Sequence, residues 1–569
     1  GIVGNEAGHI PPFPCIDFHK APAEGEIGSA GGPAKKNGRS LYQMERRGGK
    51  MMELMKNNIH MNRQKGTAVS QITLDDDFIV PDTMDDVSAV LLGNGDIQIE
   101  SSRAQGDRVL IRGKLSFAVL YRRESGGLQS LKGEIPFEET VNVPELEEKD
   151  SFQVSWNLED LNTGMINSRK LNIKAVVMLE VRVESLYDAE AAVDLKTDDG
   201  RVEIQRRDID VAAIAVRRKD TYRIREELSL SANKPNMETI LWREMKLRGV
   251  SCSPVQGAVH LEGELLIFVI YSGEGEHTPV QWVEESIPFS GEVELSEAEE
   301  SMIPFVPVRL LHQEIEMKPD SDGEMRVLLA DAVLELDMKL YEEQHVELLS
   351  DMYSTGCELV LDTGTACFDR LLTKNICKCK TAEKLNLRQP ERILQICHST
   401  GEVKLDAAEP KEDGLHLEGV LEVGLLYLTD DDAAPVGYAE EMVPFRCTAE
   451  ASGMDENSVY QLNMGLEQLT AVMLGSESVE VKAVITADLL ALQPVCEQVI
   501  TGARTEPLDL KKLQEMPGIV GYIVQPGDSL WKIAKKFHTT VDHVMEANGL
   551  ERGEARPGER LVLVKEISQ

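Results

Sequence analysis

Three stretches of the chain alternate apolar and polar positions in the same way: RVLIRGKLSFAVLY (108–121), AVHLEGELLIFVIY (258–271) and GLHLEGVLEVGLLY (414–427). In the first, Val109, Ile111, Leu115, Phe117, Val119 and Tyr121 fall on one face of an extended chain, because side chains two residues apart share a face of a strand. The opposite face begins charged and ends apolar. A glycine stands eight residues before the tyrosine in each copy (Gly113, Gly263, Gly419), and an Ile/Val-Pro-Phe follows each (Ile135–Phe137, Ile287–Phe289, Val443–Phe445). A mid-strand glycine predicts a bulge or bend that lets the strand cross between two sheets, and the proline predicts an edge strand. About thirty residues before each glycine stands Pro81, Pro235 or Pro390, and the stretch after it is expected to hold one short helix. A second strand recurs later in each copy, at 171–183, 327–338 and 479–492.

The glycines lie 150 and 156 residues apart, a domain-sized period. The pattern predicts a mainly β protein of three tandem β-rich domains, each a sandwich or barrel, over 66–197, 225–345 and 380–497. The repeated strand, glycine, tyrosine and Ile/Val-Pro-Phe resemble the SPOCS domain of endospore coat proteins. That resemblance covers most of residues 66–497; it implies assembly and carries no catalytic residues.

The last fifty residues have a different period. YIVQPGDSLWKIAKKFHTTVDHVMEANGL (522–550) holds a short strand, a Pro526–Gly527 turn, and Leu530, Ile533, Ala534 and Phe537 at the spacing of one helix face. Asp528 or Ser529 is placed to cap that helix, and Thr539 or Thr540 a second one. Asn548–Gly549 ends the second helix and Leu561–Val564 returns as a strand. Gly527–Leu530 also spells the Gly-Asp-Ser-Leu of a hydrolase family. Only forty residues follow Ser529, and Asp542 and His543 are adjacent instead of spaced as that family's acid and base. A serine without a base is not an activated nucleophile, so no catalytic residue is assigned. The β-α-α-β order over 521–566 resembles a LysM domain, which implies a groove for N-acetylglucosamine-containing glycans. Carried over by motif, Gly527, Asp528, Ser529 and Leu530 would face Asn548, Gly549 and Leu550. The same groove would serve for a lipid-linked precursor or a protein surface. Trp531 is expected to cover the helix pair, and 500–520 to be a linker.

Composition narrows the function classes. The formal charge of -38 lies almost wholly in residues 51–520, and such a body repels nucleic acid and anionic lipid. The longest apolar run, Leu265–Tyr271, is far short of a transmembrane segment. Nine scattered cysteines do not read as a disulfide framework, and the expected compartment is a reducing cytosol. Cys377, Cys379, Cys397 and His398 lack the spacing of a zinc site, and neither metal nor cofactor is expected. Residues 1–50 are rich in Pro and Gly without apolar period and are expected to be a disordered leader. A purine-rich coding stretch for Arg46–Lys50 would place a natural start at Met51 or Met52. The whole architecture resembles spore coat morphogenetic proteins, among them a clostridial one whose LysM domain binds the coat-basement ATPase. That implies a non-enzymatic scaffold in the mother-cell cytosol, at the forespore surface, with other coat proteins as partners. The competing expectation is an exported cell-wall peptidoglycan-binding protein.

Overall fold

Every long apolar alternation in the chain becomes a strand paired to its sequence neighbour. The computed structural model describes residues 52–564 apart from 145, 198–200, 276–279, 388–391, 432–433, 476–477, 509–516 and 551–554. The leader expected over 1–50 and Pro390 lie outside the described residues.

The first unit comprises β1 (Met52–Ile79), β2 (Val87–Ala104), β3 (Arg108–Arg123), β4 (Leu128–Asn142), β5 (Ser151–Asn167) and β6 (Lys170–Thr197). They form two antiparallel sheets, ordered β2-β3-β4 and β1-β6-β5. The second unit has β7 (Val202–Ser229), β8 (Met237–Val255), β9 (Ala258–Gly273), β10 (Gln281–Glu294), β11 (Ile303–Phe305), β12 (Val308–Pro319) and β13 (Met325–Ser354). The third has β14 (Glu358–Asn386), β15 (Ile393–Lys411), β16 (Gly414–Thr429), β17 (Val436–Glu450), β18 (Val459–Met473) and β19 (Ser478–Glu506). Both repeat the two-sheet plan, with β9 and β16 central in the smaller sheet and β13 and β19 central in the larger. Each unit is thus a sandwich.

Its core lies between the two sheets. Val109, Ile111, Leu115, Phe117, Val119 and Tyr121 of β3 pack on Leu171, Ile173, Ala175, Val177, Leu179 and Val181 of β6. Burying one such aliphatic side chain is worth about 1.5–3 kcal/mol, so this face sets the register of the central strand.

Two expectations need correction. No helix follows the early prolines in the described residues: Pro81 accepts the Met84 amide at 2.9 Å in a single turn, and strand β2 begins at Val87. The glycine strand also does not change sheets, since β3 pairs with β2 and β4 along its whole length. The irregularity sits in the neighbouring strand, between Ile99 and Ser101, Arg248 and Ser251, and Leu405 and Ala407. The glycine itself lies opposite the phenylalanine of Ile/Val-Pro-Phe (Gly113–Phe137, Gly263–Phe289, Gly419–Phe445). A Cβ at Gly113 would stand 2.8 Å from the Phe137 ring and 2.6 Å from the Gln98 carbonyl. The residue is glycine because a ring lies across it. Pro136 sits in edge strand β4, where its missing N–H costs no ladder bond.

At Gly263 an added Cβ meets the Phe289 ring at 2.9 Å and the Val250 backbone at 3.2 Å. We expect Gly263→Val to destabilise by about 1–3 kcal/mol through overpacking, read as a lower urea midpoint at unchanged slope. A wild-type midpoint would mean that the ring moves aside freely.

The units also pack on one another. Leu120, Ile270 and Leu426, the same position of the repeated strand, are buried in one shared apolar cluster. The far halves of the longest strand pairs, β1·β6, β7·β13 and β14·β19, share another, with Ile59, Met61, Val211, Val346, Leu348, Phe368 and Val499. Residues 202–224, which fall between two of the expected domains, are strand. So are 500–506 of the expected linker, held by pairing with β14. Cys367 and Cys496 face each other across β14·β19 and form a disulfide. Their 129-residue separation hides the pairing from any reading of cysteine spacing.

Candidate functional site

The C-terminal module is built from β20 (Ile519–Ile523), α1 (Leu530–Lys536), α2 (Val541–Asn548) and β21 (Arg560–Val564), with β20 and β21 antiparallel. Leu530, Ile533, Ala534, Val544, Leu561 and Leu563 form its core. The polar residues around them fix both loops. Ser529 is the N-cap of α1, its hydroxyl accepting the Lys532 amide at 3.2 Å, which satisfies an amide the helix leaves free. Thr540 caps α2 through the His543 amide at 3.2 Å.

Asp528 accepts from the Tyr522 hydroxyl at 2.7 Å and from the Gln525 amide at 2.9 Å. The tyrosine bond first, then the amide, holds its carboxyl below the usual carboxylate range. Gly549 closes α2 at φ 62, a left-handed conformation that suits glycine.

Of the seven residues assigned to the groove, Gly527, Ser529 and Gly549 are exposed, and Asp528, Asn548 and Leu550 are half-buried. Leu530 is buried. Leu530 and Leu550 touch the same apolar cluster, so the two loops converge. The Asn548 amide is committed inside the module: it donates to the Val544 and Val562 carbonyls at 2.8 Å and accepts the Val562 amide at 2.6 Å. That side chain ties α2 to β21, which leaves backbone groups and the Leu550 side chain to meet a ligand on this rim.

Sequence reasoning missed the surface on the other side of α1. The Trp531 indole N–H donates to Asp351 at 2.8 Å, and the Lys535 ammonium donates to the same carboxylate at 2.6 Å. The Tyr353 hydroxyl donates to the Thr539 carbonyl at 2.9 Å, with its ring edge-on to Trp531 at 4.9 Å. Asp351 and Tyr353 belong to β13, just past an irregularity between Leu349 and Asp351. Bulges of this kind re-aim the side chains beside them. Trp531 therefore does more than cover the helix pair: it docks the module on the second unit. A tryptophan beside the helical stripe was the available signal, though nothing local names its partner.

A family model described as "SipL, SPOCS domain" matches residues 86–166, 236–318 and 392–474, and a LysM domain model matches 522–564. The chain is a triple-SPOCS protein with a LysM tail. Each SPOCS match runs from the strand after the early turn into the first strand of the larger sheet, leaving out the long strands that pair beyond it. No curated protein and no solved structure matches the chain. SPOCS and LysM are both non-catalytic binding domains. No helix among the described residues is long and apolar enough to cross a membrane. No group of His, Cys, Asp and Glu among them could hold a metal ion: His398 contacts Glu244 and Glu284, away from Cys377 and Cys379.

Proposed function

We propose that this chain is a non-enzymatic scaffold of endospore coat assembly, working in the mother-cell cytosol at the forespore surface. In this reading its LysM groove binds an N-acetylglucosamine-containing glycan, a lipid-linked precursor, or a coat morphogenetic protein such as the coat-basement ATPase. The observation that carries it is the combination of three SPOCS domains with a LysM module docked through α1, whose loop tips at Gly527, Ser529 and Gly549 stay exposed. The SPOCS surfaces would meet other coat proteins. A second reading, an exported protein binding cell-wall peptidoglycan, is favoured by the Cys367–Cys496 disulfide, a bond typical of oxidising compartments.

Leu550→Arg separates binding from folding. The position is half-buried at the loop edge, so a long cationic side chain can reach water. We expect the variant to melt like wild type and to bind chitin oligosaccharide, muropeptide or the ATPase at least about tenfold more weakly, ~1.4 kcal/mol, by calorimetry. A ligand whose affinity survives the change contacts the protein elsewhere. Fluorescent tagging in sporulating cells separates the two locations.

A further inference from the structure

The units meet pairwise, and equivalent positions line each junction. The residue five before the phenylalanine of Ile/Val-Pro-Phe is Lys132, Glu284 or Glu440, opposite Ala118, Phe268 and Gly424 respectively. Between the second and third units, Glu284 meets His398, whose ring stacks on Phe268 at 3.8 Å and contacts Glu244 at 3.3 Å. That junction is filled and its charge answered. Between the third and first, Glu440 shares a hydrogen bond with Glu422, which together with burial pushes its carboxyl up to about 7. Lys404 pairs with Glu422 and donates to the Glu159 carbonyl at 3.1 Å. This charge too is answered from within the chain.

The junction of the first and second units is different. Ala118 stands where the second unit has Phe268, and a cleft of 480 Å³ opens there, within the range of small-molecule sites. Lys132 and Arg243 both line it. Lys132 makes no ion pair among the described residues. Desolvation by the cleft walls and then the charge of Arg243 hold its amine below the usual lysine range. Trp242, paired opposite Ile270 as His398 is opposite Leu426, also lines the cleft. It is 4% exposed, and its indole N–H is buried without a partner. A buried donor left unpaired destabilises a fold, and a ligand acceptor would relieve it. Each carboxylate on the walls has a partner of its own: Glu134 meets Lys114, Glu244 meets His398 and Lys246, Glu314 meets the His312 ring at 4.0 Å, and Asp96 accepts from the Gln98 amide at 3.3 Å.

We propose that this cleft binds a small organic anion, with a carboxylate or phosphate group held between Lys132 and Arg243. The ligand supplies the counter-charge that the other two junctions carry in their own side chains. The stems of the cleft walls, Phe117 and Met245 among them, give its body apolar contact. Sequence gives the same contrast, since lysine replaces glutamate at this one repeat position.

The test is calorimetric titration of the full chain with citrate and with pyrophosphate, in chloride strong enough to screen exposed charge. Saturable binding by at least one is expected, with a shift of the Trp242 indole resonance, assigned through Trp242→Phe. Citrate alone would identify a carboxylate site, and pyrophosphate alone a phosphate site. Lys132→Glu restores the residue of the other repeats; it should abolish the binding and raise the melting temperature by pairing with Arg243. Lys132→Met should weaken binding at least tenfold with the fold retained. Saturable binding by neither anion, or affinity unchanged in Lys132→Glu, overturns the proposal.

Discussion

Lys339→Met is expected to destabilise the protein by about 3–5 kcal/mol, because it removes one partner of a buried charge pair. Lys339 and Glu184 come from different units and lie 2.7 Å apart, with each side chain 4% exposed. Arg217 holds the other Glu184 oxygen at 2.7 Å. Lys339 also donates to Gln461 of the third unit at 3.3 Å, and Gln461 in turn donates to the Tyr341 hydroxyl at 2.7 Å. Three units therefore meet on one carboxylate. Burial alone would raise the Glu184 pKa, but Lys339 and Arg217 outweigh it and hold the carboxyl below the usual range. A carboxyl depressed in the folded state gives stability that is present above its unfolded pKa of about 4.3 and is lost as pH falls through the folded value. The gap between wild type and variant should thus be widest near neutral pH and close with acid. Urea unfolding at several pH values measures it. A gap that stays constant down to acid pH would show that the loss is one of packing and not of charge.

How far such junctions can be read from sequence depends on how local their cause is. Val109 to Tyr121 alternate because one face meets the core of their own unit, and that strand is legible from fourteen residues. Residues 211–214 are not. Val211 and Ala213 enter one inter-unit cluster while Ala212 and Ile214 enter another, so both faces are buried and the period of two vanishes into a continuous apolar run. The repeated glycines were visible as a pattern, but their reason, a phenylalanine on the next strand, needs the register. The Cys367–Cys496 bond needs it too.

In the C-terminal module the helix caps at Ser529 and Thr540 and the Gly549 turn follow from local chemistry and were legible. The Asn548 bonds to β21 and the contact of Trp531 with β13 join residues far apart in sequence. The second is the larger omission, since it changes a tethered module into a docked one.

Tyr353→Ala should undock that module. Tyr353 is 5% exposed, and removing a buried aromatic side chain costs about 3–5 kcal/mol. Part of that loss falls on the β13 end and part on the contact with Trp531 and Thr539. Among the described residues, Tyr353 is the one buried side chain of the body in the module's core cluster, so its helices should persist after release. The Trp531 indole resonance reports the event directly, because its N–H now donates to Asp351. In Tyr353→Ala it should move toward the position of a solvated indole, while the radius of gyration from solution scattering rises. Asp351→Asn should act more mildly, weakening two charge-assisted bonds and keeping the ring contact. A double-mutant cycle with Trp531→Ala should give a coupling of about 0.5–3 kcal/mol, as for residues in direct contact. Affinity of the groove for its ligand should stay near wild type in Tyr353→Ala, since Gly527 to Leu530 and Leu550 keep their own supports; Leu550→Arg should show the reverse pattern. An unchanged Trp531 resonance in Tyr353→Ala would mean that Asp351 and Lys535 hold the module without the tyrosine. A groove that loses its ligand on undocking would mean that β13 belongs to the binding site.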